Sequence, residues 1–113
     1  MFNRGSIYLA GLHPSKGAEP GKTRPVLVIQ TDLLNETEHS TVIVIPLTTN
    51  LIDNTYPLRL RISKRGRLSA DSDLLCDQIR AIDKRRLIPD KIASLTAEEM
   101  IKVEIQVQIL LGN

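Results

Sequence analysis

The sequence predicts a mainly β protein, a small and strongly curved barrel carrying a C-terminal helix. Three observations point there. Short apolar runs follow one another between turns rich in Gly, Pro and Asn. Residues 57–62 alternate apolar and basic side chains, the period of a strand with one buried face. Thr96-Ala-Glu-Glu99 is a capping-box pattern that opens a helix. At 113 residues the chain has room for one modest core, so residues 1–113 are expected to form a single domain.

Taken in order, the first strand is Ser6-Ile-Tyr-Leu-Ala10, counted as residues 6–10. A polar loop follows, with Gly17, Pro20 and Gly21 marking turns. It delivers Arg24 to the mouth of an apolar run, Val26-Leu-Val-Ile29, within a second strand over 25–31. Pro25 cannot donate a ladder hydrogen bond, so it fits a strand's first residue or an edge. An arginine held at that entrance offers a fork of donors matched to phosphate or carboxylate; the simpler alternative is a surface charge.

The third strand, 41–48, is Thr41-Val-Ile-Val-Ile-Pro-Leu-Thr48, with Thr49 supplying a second hydroxyl at its end. In 57–62, Leu58, Leu60 and Ile62 alternate with Arg59 and Arg61, which places both arginines on one solvent-facing side. Residues 73–81 read as one further strand, interrupted by Asp77, Gln78 and Arg80, and 83–87 as a short helical turn. The last segment is ambiguous by period, since Val103, Ile105, Val107 and Ile109 alternate with polar residues. The capping box, a Leu95–Met100 staple and a stop at Gly112 decide for a helix over 97–111.

A formal net charge of +2 is too small to argue for nucleic acid, but its distribution is uneven. Arg59, Arg61, Lys64, Arg65 and Arg67 form one basic stretch, and Arg80, Lys84, Arg85 and Arg86 another. Residues 32–53 hold Asp32, Glu36, Glu38 and Asp53 and no Lys or Arg. Such asymmetry suits an anionic partner; solvated loop faces are the other reading. No apolar run approaches a membrane span of about 18 residues, and no secretory signal is visible. The lone Cys76 lies in an apolar context and reads as a small core residue. A cytoplasmic protein is expected.

Several chemistries find little support. His13 and His39 stand alone in loops, without a Cys/His pair or carboxylate cluster at ligand spacing, so no metal is expected. There is no Walker-type phosphate loop, and no histidine is visibly tied to a serine or cysteine. RNA offers another route, because its 2′-hydroxyl already sits beside the phosphorus. The protein need only splay the nucleotide, move protons and neutralise the phosphorane.

An ordered set of motifs runs through nearly the whole chain: Arg4-Gly-Ser-Ile-Tyr-Leu-Ala10, Lys16-Gly-Ala-Glu19, Gly21 followed by Arg24-Pro-Val-Leu-Val28, Pro46-Leu-Thr48, and Asp77-Gln-Ile-Arg-Ala-Ile-Asp83. Together they resemble the MazF/PemK family of toxin ribonucleases from type II toxin–antitoxin systems. The resemblance implies an SH3-like small β-barrel with a C-terminal helix, a fold shared with the CcdB gyrase poisons. It implies cofactor-free, metal-independent cleavage of single-stranded mRNA to a 2′,3′-cyclic phosphate and a 5′-hydroxyl. It also implies a homodimer and a cognate antitoxin whose acidic, disordered tail occupies the RNA groove.

Carried onto this sequence, the resemblance makes Arg24 and Thr48 catalytic. It adds Asp77 as an acid/base used by some relatives; an ion pair with Arg80 is the structural alternative for that carboxylate. Glu19 and Gln78 match positions near the cleft. Lys22, Pro25, Thr49, Tyr56, Arg59, Arg61 and Arg80 complete the candidate substrate-binding set. Tyr56 could stack one base or pack on the sheet; with Phe2, Tyr8 and Tyr56 as the only aromatics, no extended stacking platform exists. PemK/Kid-type relatives carry a His and an Arg where this chain has Ala18 and Leu75, so a mechanism using that pair is not available here. A gyrase poison acting through its helix end is one alternative, although Leu110-Leu-Gly-Asn113 lacks the Trp such proteins use. A non-catalytic nucleic-acid-binding barrel is another.

Overall fold

The computed structural model describes residues 1–12 and 23–113. Among the described residues, seven strands form one curled, half-barrel sheet: β1 (Ser6–Gly11), β2 (Thr23–Val28), β3 (Thr41–Thr48), β4 (Arg59–Ile62), β5 (Ser72–Leu75), β6 (Arg80–Asp83) and β7 (Ala93–Ser94). The described residues also form a short helix α1 (Asp32–Asn35) and the C-terminal α2 (Ala97–Leu110). Strand order is β4-β5-β3-β2-β1-β7, with β6 pairing β3 beside β2's end, and every pairing is antiparallel. The expected architecture, mainly β with a C-terminal helix, is the observed one.

β3 organises the sheet. Its first half, Thr41–Val44, pairs β6, and its last two residues, Leu47 and Thr48, pair β5. The single strand expected over 73–81 is therefore two strands. A 3-10 turn at Cys76–Gln78 breaks it and lets the chain cross between the two halves of the sheet. Asp77 and Gln78 ride on that turn, exposed, rather than in a strand.

The second strand stops at Val28, short of the expected 31. The Ile29 and Gln30 N–H groups both donate to the Ile43 carbonyl, so two residues oppose one and the ladder bulges. α1 follows at once, and the sequence reading missed it. Thr31 caps it by accepting from Leu33 N–H, and Asn35 anchors it through buried hydrogen bonds with Gln30.

The apolar runs are long because the central strands are covered on both faces. Ile7, Leu27 and Ile45 point into one core with Leu47, Leu74, Met100, Val103 and Val107. Tyr8, Val26, Val28, Val42 and Val44 form the other with Ile82 and Leu87. α2 lies over the first core, and its capping box forms as expected: Thr96 accepts from Glu99 N–H and Glu99 accepts from Thr96 N–H. Leu95 and Met100 are both buried in that core. Gln106, buried on α2, donates to the carbonyls of Pro57 and Arg59 and so ties the helix to β4. Gly66 is required where it stands: φ is +52° and a Cβ would come within 2.7 Å of the Ile92 carbonyl oxygen. No helix among the described residues is long and apolar enough to cross a membrane.

Candidate active site

The β2–β3 ladder ends at a pair of residues, Val26 opposite Pro46, next to Pro25 on the other strand. Neither proline has an N–H to extend it. Beyond that point β2 continues only against β1, with Arg24 opposite Ala10, while β3 turns its pairing to β5. The place where the two strands part company is a cleft of about 200 Å³ lined by Thr23, Arg24, Pro25, Leu47, Thr48, Thr49 and Ser72. Arg24 and Thr48 each lie two residues past the last pair of that ladder, Val26 with Pro46, and both line the cleft. Four sequence-predicted residues, Arg24, Pro25, Thr48 and Thr49, thus meet in one cleft.

Arg24 lies inside the β1–β2 ladder rather than ahead of it, and both it and Thr48 are half-buried. The Asn50 N–H donates to Thr48 Oγ1 at 3.1 Å. That bond occupies a lone pair and leaves the hydroxyl proton to be donated outward.

A second cleft, about 220 Å³, adjoins through β5 and is lined by residues 52–56 with Arg59, Arg61 and Asp73. Tyr56 is 68% exposed there. Arg59 and Arg61 share a side of β4, as expected, but they are not simply wet. Both converge on Asp73, only 1% exposed: Arg61 Nε donates to Oδ1 at 2.9 Å and Arg59 Nη1 to Oδ2 at 3.2 Å. Burial alone would raise the Asp73 pKa. Hydrogen bonds from Arg61, the Ile52 N–H and Arg59 outweigh it and hold the carboxyl below its usual range.

Much of the other basic surface is engaged too, by carboxylates or by backbone carbonyls. Arg65 pairs with Glu99 and Arg85 with Asp83, Arg67 donates to the Lys91 carbonyl, and Arg86 to that of Leu12. Asp77, Gln78 and Arg80 do not line the first cleft. Asp77 and Arg80 are exposed and form no ion pair with each other. Glu19 and Lys22 lie outside the described residues, as does Ala18. Among the described residues no three His, Cys, Asp or Glu side chains gather as a metal site. The residue that sequence reasoning missed is Asp73. Its signal was an acidic residue opening an apolar strand across from an Arg-x-Arg strand.

The sequence profile described as "PemK-like, MazF-like toxin of type II toxin-antitoxin system" matches residues 3–111. The chain belongs to this family of toxins. A MazF-like relative, Endoribonuclease MazF of Staphylococcus epidermidis, is 40% identical over 99% of this chain and 92% of its own length. The fold agrees with solved MazF structures. One is the MazE–MazF crystal structure (Form-II) from Deinococcus radiodurans, with a TM-score of 0.80, 24% identity, and coverage of 97% of this chain and 95% of that one. Another is an endoribonuclease in complex with its cognate antitoxin from a mycobacterial species, with a TM-score of 0.75, 21% identity, and coverage of 99% and 96%. Leu75 is the last residue of β5. That side chain is 5% exposed and packs at the end of β5, so it supplies no cation to the site.

Proposed function

We propose that this MazF-like toxin is a sequence-selective, metal-independent endoribonuclease that cuts single-stranded mRNA with Arg24 and Thr48. The observation that carries the reading is their meeting in one cleft where the β2–β3 ladder stops. The RNA 2′-oxygen attacks the adjacent phosphorus, the P–O5′ bond breaks, and the products are a 2′,3′-cyclic phosphate and a 5′-hydroxyl. The Arg24 guanidinium neutralises charge on the phosphorane oxygens, and the Thr48 hydroxyl donates to one of them.

Two proton transfers remain, one from the 2′-hydroxyl and one to the 5′-oxygen. Asp77 is the proposed participant on the family resemblance; it is exposed and forms no ion pair with Arg80. Pro25 and Thr49 line the reacting cleft, and Tyr56, Gln78 and Arg80 are exposed groups able to meet the strand on either side. Glu19 and Lys22, which precede β2 in the sequence, are proposed to contact the RNA. The protein is proposed to be a cytoplasmic, single-domain homodimer silenced by an antitoxin with an acidic tail. The gyrase-poison and non-catalytic readings have no observation in their favour.

Incubation with a long single-stranded RNA in excess EDTA, beside Arg24→Ala, tests this. Discrete cuts with 5′-hydroxyl ends are expected, and Arg24→Ala should be slower by about 10²–10³-fold. A correctly folded Arg24→Ala that cuts at full speed would remove Arg24 from the reaction.

A further inference from the structure

The turn that follows Thr48 is fastened by one buried carboxylate. Asp73 Oδ2 accepts the Ile52 N–H at 3.1 Å, and the same oxygen takes Arg59 Nη1. Arg59 Nη1 also donates to the Asn50 carbonyl at 2.9 Å, bridging carboxylate and turn. Arg61 links Asp73 to Asp53 farther along the turn, its Nη1 reaching Asp53 Oδ1 at 2.5 Å. Asn50, thus held at its carbonyl, presents its N–H to Thr48 Oγ1. The far end is held as well, by Gln106 on the carbonyls of Pro57 and Arg59. No buried side-chain polar atom among the described residues lacks a partner.

We infer that Asp73 is a positioning residue for RNA cleavage: through Arg59 and the backbone of Asn50, whose carbonyl and N–H lie on successive peptides, it sets the direction of the Thr48 hydroxyl. This inference rests on the ribonuclease reading above. It also reassigns Arg59. Arg59 makes both contacts, to the carboxylate and to the carbonyl, from the single nitrogen Nη1 at the end of a planar guanidinium. A lysine ammonium ends one bond short of that point on a more flexible stem, whereas a phosphate contact can tolerate the exchange. Neutralising Asp73 leaves two arginines less compensated, which favours an RNA backbone. Rate and affinity should therefore move in opposite directions.

The test compares wild type, Asp73→Asn and Arg59→Lys for single-turnover cleavage and for affinity toward an RNA blocked by a 2′-deoxy sugar at the cut. Amide exchange at Asn50 and Ile52 is followed in parallel. Asp73→Asn should lose about 10- to 100-fold in rate, the scale of a misplacement near 1 Å. It should bind the blocked RNA as tightly as wild type or tighter, and both amides should exchange faster. Should Asp73→Asn fail to fold, Arg59→Lys decides: a rate about 10-fold lower with affinity kept supports the assignment. A folded Asp73→Asn, or an Arg59→Lys, that cuts at the wild-type rate overturns it. So does a variant that loses affinity instead of rate. Wild-type protein that cuts no RNA would instead sink the ribonuclease reading, and the positioning role with it.

Discussion

Thr48 lies directly opposite Asp73 in the ladder between β3 and β5. Residues so paired project to the same side of a sheet. One is half-buried at the edge of the cleft that holds Arg24; the other is closed off beneath Arg59 and Arg61. The last residue of β3 is therefore the seam between a reacting cleft and its supporting ionic network.

The Thr48 hydroxyl should matter through its oxygen and proton, not its methyl. Thr48→Val is expected to lose about 10²-fold in cleavage rate, whereas Thr48→Ser should stay within about 10-fold of wild type. Melting temperatures of both should remain close to wild type, since Thr48 is half-buried at a strand end. Equal rates for Val and wild type would rule out the hydroxyl's role.

Asp77 makes no ion pair with Arg80 and is exposed. Asp77→Asn should therefore shift unfolding free energy by no more than about 0.5 kcal/mol. Its cleavage rate should fall by roughly 10²-fold if the carboxyl moves a proton. A rate within threefold of wild type would leave proton transfer to other groups.

Next to the seam, Leu47 and Leu74 face each other with 1% and 0% exposure. Leu74→Ala should cost about 2–5 kcal/mol in urea unfolding, by lost burial and the cavity left behind. A cost below 1 kcal/mol would mean that the core there closes up freely.

Glu99 carries a pH signature. The Arg65 guanidinium foremost, aided by the Thr96 N–H and opposed by burial, lowers its pKa from 4.5 to about 2. A carboxyl depressed in the folded state contributes stability above its unfolded pKa and loses it as pH falls through the folded one. The contribution is thus intact at neutral pH and fades between pH 4.5 and about 2. Glu99→Gln keeps the capping geometry and removes the charge. The melting-temperature gap between it and wild type should be open at pH 7 and close toward pH 2. A gap that does not change with pH would refute the ionic origin.

α2 shows a second apolar stripe away from the core. Ile101, Ile105 and Ile109 are 56%, 47% and 42% exposed at helical spacing. If this face joins the proposed homodimer, Ile105→Glu should sediment as a folded monomer at concentrations where wild type is dimeric. A dimer of undiminished affinity would place the interface elsewhere.

The legible parts of this molecule were those with local causes. The capping box and the Leu95–Met100 pair announce α2, and the continuous apolar runs of β2 and β3 announce strands covered on both faces. Arg24 and Thr48 were visible through motifs set beside those strands. The break at Cys76–Gln78 was not, because its cause is tertiary: β3 changes partner midway, and no local propensity encodes that. The β2 bulge and α1 were missed for a similar reason, since both depend on Ile43 and Gln30 meeting across the sheet. Asp73 is hidden in the sequence because the alternation of Arg59 and Arg61 with apolar residues suggests a face turned to water. Whether an Arg-x-Arg face is wet depends on which strand lies beside it.

Cys76 sits at that break, fully buried, with burial foremost raising its thiol pKa to about 11. It is the only sulfhydryl in the chain. A thiol reagent added to the native protein therefore has one target, and can react with it only when the two halves of the sheet come apart. The labelling rate becomes a clock for how often the barrel opens. An RNA or an antitoxin that grips both halves would be seen to slow it, with no substitution and no attached probe.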